Sequence, residues 1–264
     1  MLPGFESLRI PLVDGNDAVV HCEFRKPQRS PYLLVFLNGL LLPRSGWWQT
    51  IQLLLKDHSQ TSSPGILTYD RYGQGDSSPD PLDSAVERRD RPEGHRHDLQ
   101  DAAQYLSKLL SSLSHTFPDI RSCKLILVAN SIGCALARIY AAGNLALVRA
   151  IIFLDSIITN TDQISMFPNP DDDGDSWPPN PSAGPNPNFD PGSLPAGITV
   201  EELRGVRLRW GHMFHPSVVN KEGLSRLNLA QLLPYPEKPR LNGVLVAVVG
   251  HDPEVFAEHN EMVR

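Results

Sequence analysis

Five nearly continuous apolar runs divide the chain, and polar or small residues follow each of them. Runs of this kind are typical of strands that helices cover on both faces, as in a parallel sheet. Between the runs, apolar residues recur at helical spacing from Leu99 to Leu113 and again from Ile132 to Ile139. The alternation of strands and helices predicts an α/β fold with a mostly parallel sheet. The predicted parallel strands cover residues 32–37, 65–69, 123–128, 149–154 and 244–249.

The first residues follow a different pattern. Two segments of alternating apolar and polar residues, Leu8 to Val13 and Ala18 to Phe24, flank the sequence Asp14-Gly15-Asn16-Asp17. Because Asp, Gly and Asn favour tight turns, this stretch predicts an antiparallel hairpin ahead of the parallel strands.

The composition changes sharply after residue 155. Residues 168–195 hold nine of the chain's 24 prolines, together with an acidic run at 171–175. Such a composition cannot pack a core, so we predict a mobile loop here and helices in the following stretch, 200–233. The acidic run lacks the ligand spacing of a calcium loop, and we predict no metal site in the protein.

A serine lies between small residues directly after the third of these apolar runs, residues 123–128, in Ala129-Asn130-Ser131-Ile132-Gly133, and a helical pattern follows it. A strand, a sharp turn and a helix in this order form a nucleophile elbow, in which the serine hydroxyl is lifted out of the sheet. The other interpretation is a serine that caps an ordinary helix, a position that serine favours.

Two further loops change the balance between these interpretations. Asp70-Arg71-Tyr72-Gly73-Gln74-Gly75-Asp76-Ser77 follows the strand at 65–69, and Asn38-Gly39-Leu40 follows the strand at 32–37. With the serine motif, these loops resemble the α/β-hydrolase superfamily over residues 7–156, with Asn38 in place of the histidine of its H-G-x loop. The resemblance implies an α/β-hydrolase fold without a cofactor.

The resemblance also gives a domain organisation. It implies one core domain and an inserted lid over the serine, with the proline-rich stretch as the mobile part of the lid. We expect the core at residues 1–156 and 241–264, the lid at 157–240 and the mobile loop at 168–195.

The resemblance assigns most of a catalytic site. Ser131 would be the nucleophile, and the backbone N–H groups of Leu40 and Ile132 would stabilise the oxyanion. Asp252, after the last strand, or Asp155, after the strand before it, would orient the base, and Asp252 is favoured. The Asn38 side chain either donates to the oxyanion or only shapes its loop.

The catalytic histidine is missing from its expected place. The superfamily has it in a loop after one further strand, whereas only His259, on a predicted helix, follows Asp252. His212 and His215 in the insertion could reach the serine from above, or form part of an apolar wall. His95 and His97 precede a helix and are expected at the surface.

Two explanations for the histidine are open. Either the 264 residues lack a final strand and its histidine, or the protein keeps the fold without the triad. The strand at 244–249 favours the first, because it would otherwise be an uncovered apolar edge. The same edge predicts self-association.

Charge and cysteine content limit the partners and the compartment. The net charge of −6 is spread over both signs, which argues against nucleic acid. No stretch is long and apolar enough for a membrane span, no signal peptide is evident, and three scattered cysteines suit a reducing compartment. We therefore expect a cytoplasmic protein with a small-molecule substrate.

The predicted activity is that of a serine hydrolase. Trp177, Trp210, Met213 and Phe214 in the insertion suggest a small, largely apolar ester, lactone or related acyl compound as substrate. The alternative is a non-hydrolytic member of the fold, a lyase or a ligand-binding protein, without a complete triad.

Overall fold

The apolar runs form the strands of a single sheet. The computed structural model describes residues 2–57, 62–83, 91–154, 164, 167–174, 177–233 and 241–250. The strands are β1 (Glu6–Pro11), β2 (Val19–Arg25), β3 (Tyr32–Leu37), β4 (Gly65–Tyr69), β5 (Lys124–Asn130), β6 (Val148–Leu154) and β7 (Leu245–Val249). The helices are α1 (Trp48–Asp57), α2 (Leu99–Thr116), α3 (Ile132–Gly143), α4 (Val200–Phe214) and α5 (Leu229–Leu232), with short 3₁₀ helices at Arg44–Trp47, Pro118–Ser122 and Pro191–Ser193.

The seven described strands are arranged in the order β1-β2-β4-β3-β5-β6-β7. β1 and β2 form the predicted antiparallel hairpin, with Leu8 opposite Cys22 and a turn at Gly15, whose φ is +77°. β2 also pairs antiparallel with β4, whereas every other pairing is parallel. The mostly parallel α/β fold is therefore confirmed, and the predicted strand bounds are right to within two residues.

Two apolar clusters form the core. The larger contains α2, α3 and the strand residues that face them, and the smaller includes Ile51 of α1 with Phe36 and Trp47. α2 contributes Leu106, Leu109 and Leu113, which recur at helical spacing and are fully buried. The sheet is thus covered by helices on both faces, as its continuous apolar strands require.

α2 begins at a complete capping box. The Asp98 carboxylate accepts from the amides of Gln100 and Asp101 at 2.8 and 2.9 Å, and the Asp101 carboxylate accepts from the Asp98 amide at 3.0 Å. Asp98 also accepts from Asn228 at 2.7 Å, which joins the start of α2 to the chain between β6 and β7.

Asp98→Ala should lower the free energy of unfolding by about 1–2 kcal/mol, because two helix amides lose their acceptor. Urea denaturation measures this loss. Asp119→Ala is the matched control. Asp119 is exposed in the 3₁₀ helix Pro118–Ser122, which has no side-chain cap, and its loss should change the midpoint little. Equal midpoints for wild type and Asp98→Ala would contradict the prediction.

α3 lies very close to β3. A Cβ at Gly133 would lie 2.4 Å from the Leu37 carbonyl oxygen and 2.9 Å from that of Asn38. Only glycine fits at this distance. Gly133 therefore lets the start of α3 pack directly against the end of β3.

The chain between β6 and β7 contains less helix than expected. Thr199 caps the start of α4, and its hydroxyl accepts from the Glu202 amide at 3.2 Å in a capping box. Turns then replace the predicted helix until α5. In the proline-rich part, Asp171 pairs with Arg204 of α4 at 2.6 Å. The prediction of a lid at 157–240 stays a prediction, as does mobility of its loop.

His95 and His97 are buried, and the prediction of surface positions is wrong. The backbone from 91 to 98 lies against the chain between α4 and α5: His95 Nε2 is 3.2 Å from the Ser217 carbonyl oxygen, and the Ser225 amide donates to the His97 carbonyl at 2.7 Å. Residues more than 100 positions away thus contact the His95 ring and the His97 backbone, and the His97 ring lies 3.6 Å from Asp80. No helix within the described ranges is long and apolar enough to cross a membrane.

Candidate active site

The carboxyl ends of the central strands meet at one edge of the sheet. Leu37 at the end of β3 lies opposite Ala129 of β5, and Asn130 lies opposite Leu154 at the end of β6. Leu154 in turn lies opposite Val249 at the end of β7. In open α/β sheets, ligands bind outside this edge. We therefore expect a binding or catalytic site among the loops that follow these strands.

Ser131 forms the turn between β5 and α3. Its φ of 52° and ψ of −128° lie in a region that non-glycine residues rarely adopt, and its side chain makes no capping hydrogen bond to α3. The helix-cap interpretation therefore does not explain this serine. Ser131 is half-buried, and the amino end of α3 begins at the next residue. The backbone has the form that a nucleophile elbow requires.

The loop after β3 lies against Ser131. A Cβ built on Gly39 would be 3.3 Å from the Ser131 Cβ and 3.0 Å from the Asn130 amide oxygen. Gly39 is buried, and Leu40 after it is half-buried. The structure thus brings the Asn38-Gly39-Leu40 loop next to the serine, as the order of motifs predicts.

The Asn38 side chain is fully engaged within the protein. Its Nδ2 donates to the Tyr69 carbonyl at 2.8 Å and to Gln74 Oε1 at 3.1 Å, and its Oδ1 accepts from Trp47 Nε1 at 2.7 Å. Of the two roles considered for Asn38, these bonds favour the shaping of the loop, because both amide hydrogens already have acceptors.

A buried ion pair lies behind the same loop. Arg71, 4% exposed, donates from Nε and Nη2 to the two carboxylate oxygens of Glu222, 0% exposed, at 2.6 and 3.1 Å. Burial lowers the pKa of the Arg71 guanidinium, but the charge and hydrogen bonds of Glu222, with the nearby Tyr69 and Asp70, together outweigh burial, and the pKa is raised. Arg71 is therefore charged in the folded protein.

A second ion pair shapes the glycine-rich loop. Arg44 donates from its backbone amide to Asp70 at 2.6 Å and from its guanidinium to Asp70 and to Asp76, the latter at 3.0 Å. A Cβ at Gly75 would lie 2.3 Å from the Asp70 carboxylate, and the Ser77 hydroxyl donates to the Asp70 carbonyl at 2.7 Å. The spacing of the motif therefore follows from its folding around Asp70.

Of the predicted acids and bases, the structure describes only the two histidines of the insertion. Asp155 and Asp252 lie outside the described residues, as do His251 and His259. His212 is exposed on α4 with its ring edge toward Trp177, and His215 stacks on the same indole and bonds Ser217 Oγ at 2.7 Å. His215 and Trp177 line a cavity of about 320 Å³ against α4.

One group of potential metal ligands occurs in the described part of the chain. Asp80, Asp83 and His97 have ligand atoms within 4.8 Å of one another. The carboxylates have protein partners, since Tyr105 donates to Asp80 at 2.9 Å and Arg96 lies 3.6 Å from Asp83. These contacts account for the group as part of the polar packing beneath α2.

The sheet order and the turn at Ser131 define an α/β-hydrolase fold. The chain belongs to the alpha/beta hydrolase family, whose model matches residues 34–264. No curated protein is significantly similar to the chain.

Several solved structures are similar to part of the chain. Haloalkane dehalogenase DatA from Agrobacterium tumefaciens is 21% identical, covering 64% of this chain and 46% of its own, with a TM-score of 0.44. The Cif epoxide hydrolase from Acinetobacter nosocomialis is 17% identical, with 64% and 43% covered and a TM-score of 0.44. An alpha/beta hydrolase enzyme from a Medee basin deep-sea metagenome library is 15% identical, with 59% and 47% covered and a TM-score of 0.41. The chain thus spans less than half the length of these three proteins.

The role of Glu222 was not predicted from the sequence. Its partner loop, which contains Arg71 and Gln74, was predicted, but not the roles of the side chains in it. A single acidic residue in a polar stretch carries no signal of burial, because charged residues are mostly exposed. The glycine beside it, Gly223, is one local sign of close packing. In the structure, a Cβ at Gly223 would lie 2.5 Å from the Arg96 side chain.

Proposed function

We propose that the protein is a serine hydrolase that cleaves an ester, lactone or related acyl bond of a small, largely apolar molecule. The observation that carries this proposal is the strained Ser131 turn, with φ of 52° and ψ of −128°, beside the buried Gly39. A strained serine between a strand end and a helix start exposes its hydroxyl to a substrate.

In the proposed reaction, Ser131 Oγ attacks the carbonyl carbon while a base takes its proton. The carbonyl oxygen becomes an oxyanion that accepts from the Leu40 and Ile132 amides. The C–O bond to the leaving alcohol then breaks, the alcohol takes the proton, and water later releases the acid from Ser131. His212 or His215 is the proposed base, and Asp252 or Asp155 the proposed orienting acid.

The substrate class rests on the chain between β6 and β7. The rings of Phe167 and Phe214 contact Trp210 on α4, and Trp177 packs on His212 of the same helix. If this segment covers Ser131 as a lid, it offers a mainly apolar and aromatic surface to the acyl group.

A second candidate is a binding or lyase function that uses the same pocket without an acyl-enzyme. The contacts of the two proposed bases favour it, because His212 and His215 both pack on Trp177. Without a base, Ser131 would be a weak nucleophile.

A fluorophosphonate probe separates the two candidates. We expect it to phosphonylate Ser131 of the 264-residue chain, as mass spectrometry of the modified peptide would show, because the probe reacts with activated serines. Ser131→Ala should abolish labelling, and Ser111→Ala, which removes an exposed serine of α2, should not. Absence of labelling at Ser131 would instead support the non-hydrolytic candidate.

A further inference from the structure

Two side chains bind the two backbone carbonyl oxygens that precede the Leu40 N–H, the proposed oxyanion donor. Arg71 donates from Nη1 to the Asn38 carbonyl at 2.8 Å and from Nη2 to the Gly39 carbonyl at 3.0 Å. Gln74 Nε2 donates to the same Gly39 oxygen at 2.9 Å. The Gly39 carbonyl therefore has two buried donors, one of them charged.

The Gly39 carbonyl and the Leu40 N–H belong to one peptide unit. A trans peptide is planar, and its C=O and N–H point in opposite directions. Donors that hold the Gly39 oxygen on one side therefore set the direction of the Leu40 N–H on the other. Hydrogen bonds to the oxygen also polarise the unit and strengthen its N–H as a donor.

Glu222 contacts both of these donors, the side chains of Arg71 and Gln74. Its carboxylate accepts two hydrogen bonds from Arg71, accepts from the Leu41 amide at 3.4 Å and lies 3.4 Å from Gln74 Nε2. Leu41 has a φ of 62°, an unfavourable value for leucine, and such a conformation persists only when its surroundings hold it. The Glu222 backbone also lies against Gly73, where a Cβ would be 2.3 Å from its carbonyl oxygen.

We infer that Glu222 is a positioning residue of the active site: through Arg71 and Gln74 it fixes the Gly39–Leu40 peptide so that the Leu40 N–H faces the oxyanion formed at Ser131. The inference rests on the proposed function. Glu222 lies between α4 and α5, and thus the chain inserted between β6 and β7 completes the oxyanion site in addition to any role as a cover.

Glu222→Gln tests this role in the full chain with p-nitrophenyl acetate. The amide keeps the size of the side chain but loses the charge that holds Arg71. We expect kcat to fall on the order of 10²-fold with KM nearly unchanged, as when one oxyanion donor is lost. Arg71→Lys should lose a similar factor, and the double variant no more than either single one, because both act through one unit.

A thionoester distinguishes positioning from general damage. Sulfur is a weak acceptor and gains little from the oxyanion site. Glu222→Gln should therefore slow the oxoester much more than its thiono analogue, whereas misplacement of Ser131 would slow both equally. Asp98→Asn is the matched control, because Asp98 is a buried carboxylate at the start of α2 that accepts from Asn228 at 2.7 Å, and asparagine also caps helices well. Its kcat should equal that of the wild type.

Hydrogen exchange gives a readout independent of turnover. Glu222→Gln should speed amide exchange in residues 38–42 on the order of tenfold, and Asp98→Asn should leave it unchanged. Unchanged exchange, or an equal loss on both esters, would overturn the positioning role while leaving Ser131 as nucleophile. Failure of the proposed function has a different signature, since the wild type itself would not react at Ser131.

Discussion

Gly133→Ala should lower the free energy of unfolding by about 3 kcal/mol, an overpacking cost at the upper end of the usual range. The added Cβ would lie 2.4 Å from the Leu37 carbonyl oxygen, and its neighbours are backbone atoms that cannot rotate away. Either α3 or the end of β3 must move. Because Ser131 and Asn38 lie on these two segments, the reactivity of Ser131 should fall as well. Thermal unfolding and fluorophosphonate labelling measure the two effects.

Gly143 provides a control on the same helix. A Cβ there meets nothing within 4 Å, and the residue ends α3. Gly143→Ala should raise the free energy of unfolding by about 0.5–1 kcal/mol, because alanine has less backbone entropy to lose on folding. If Gly133→Ala were as stable as the wild type, α3 could not pack against β3 as closely as described.

We expect the 264-residue chain to self-associate through β7. Within the described residues β7 is the last strand of the sheet, and its Leu245, Val246, Val248 and Val249 are 49–61% exposed. Unpaired backbone groups beside apolar side chains favour pairing with another strand. A second copy offers the same edge in the antiparallel direction, so a two-fold dimer satisfies both strands at once.

Val248→Lys should shift the protein from dimer or larger assembly to monomer, because a charge on an edge strand opposes pairing. Light scattering at micromolar concentration measures the change. Leu53→Lys is the control, since Leu53 is 62% exposed on α1, away from the sheet edge, and should leave association unchanged. A monodisperse wild-type monomer would contradict the proposed interface.

The elements that could be predicted from the sequence depend on neighbours along the chain. The continuous apolar runs predict β3, β4 and β6, because a strand covered on both faces needs apolar residues at successive positions. Small residues around Ser131 predict the turn between β5 and α3, because such a backbone tolerates little bulk. Turn residues at 14–17 predict the hairpin for a similarly local reason.

The sequence was a poorer guide where burial comes from distant residues. His95 and His97 have a polar local context, which favours the surface, yet both are buried where the chain between α4 and α5 meets the backbone at 91–98. Of the helices predicted over 200–233, α4 ends at Phe214, and the turns that follow bond the backbone of Arg96 and His97. Leucines at helical spacing cannot reveal these contacts.

By itself, the sequence determined the fold class, the order of the strands along the chain and the turn at Ser131. Only the tertiary structure decided that Glu222 pairs with Arg71, 151 positions away, and that their hydrogen bonds meet at the Gly39 carbonyl. The physical reason is one of range. Periodicity and turn preference act between residues a few positions apart, whereas a buried charge is tolerated only where folding brings its partner from elsewhere in the chain.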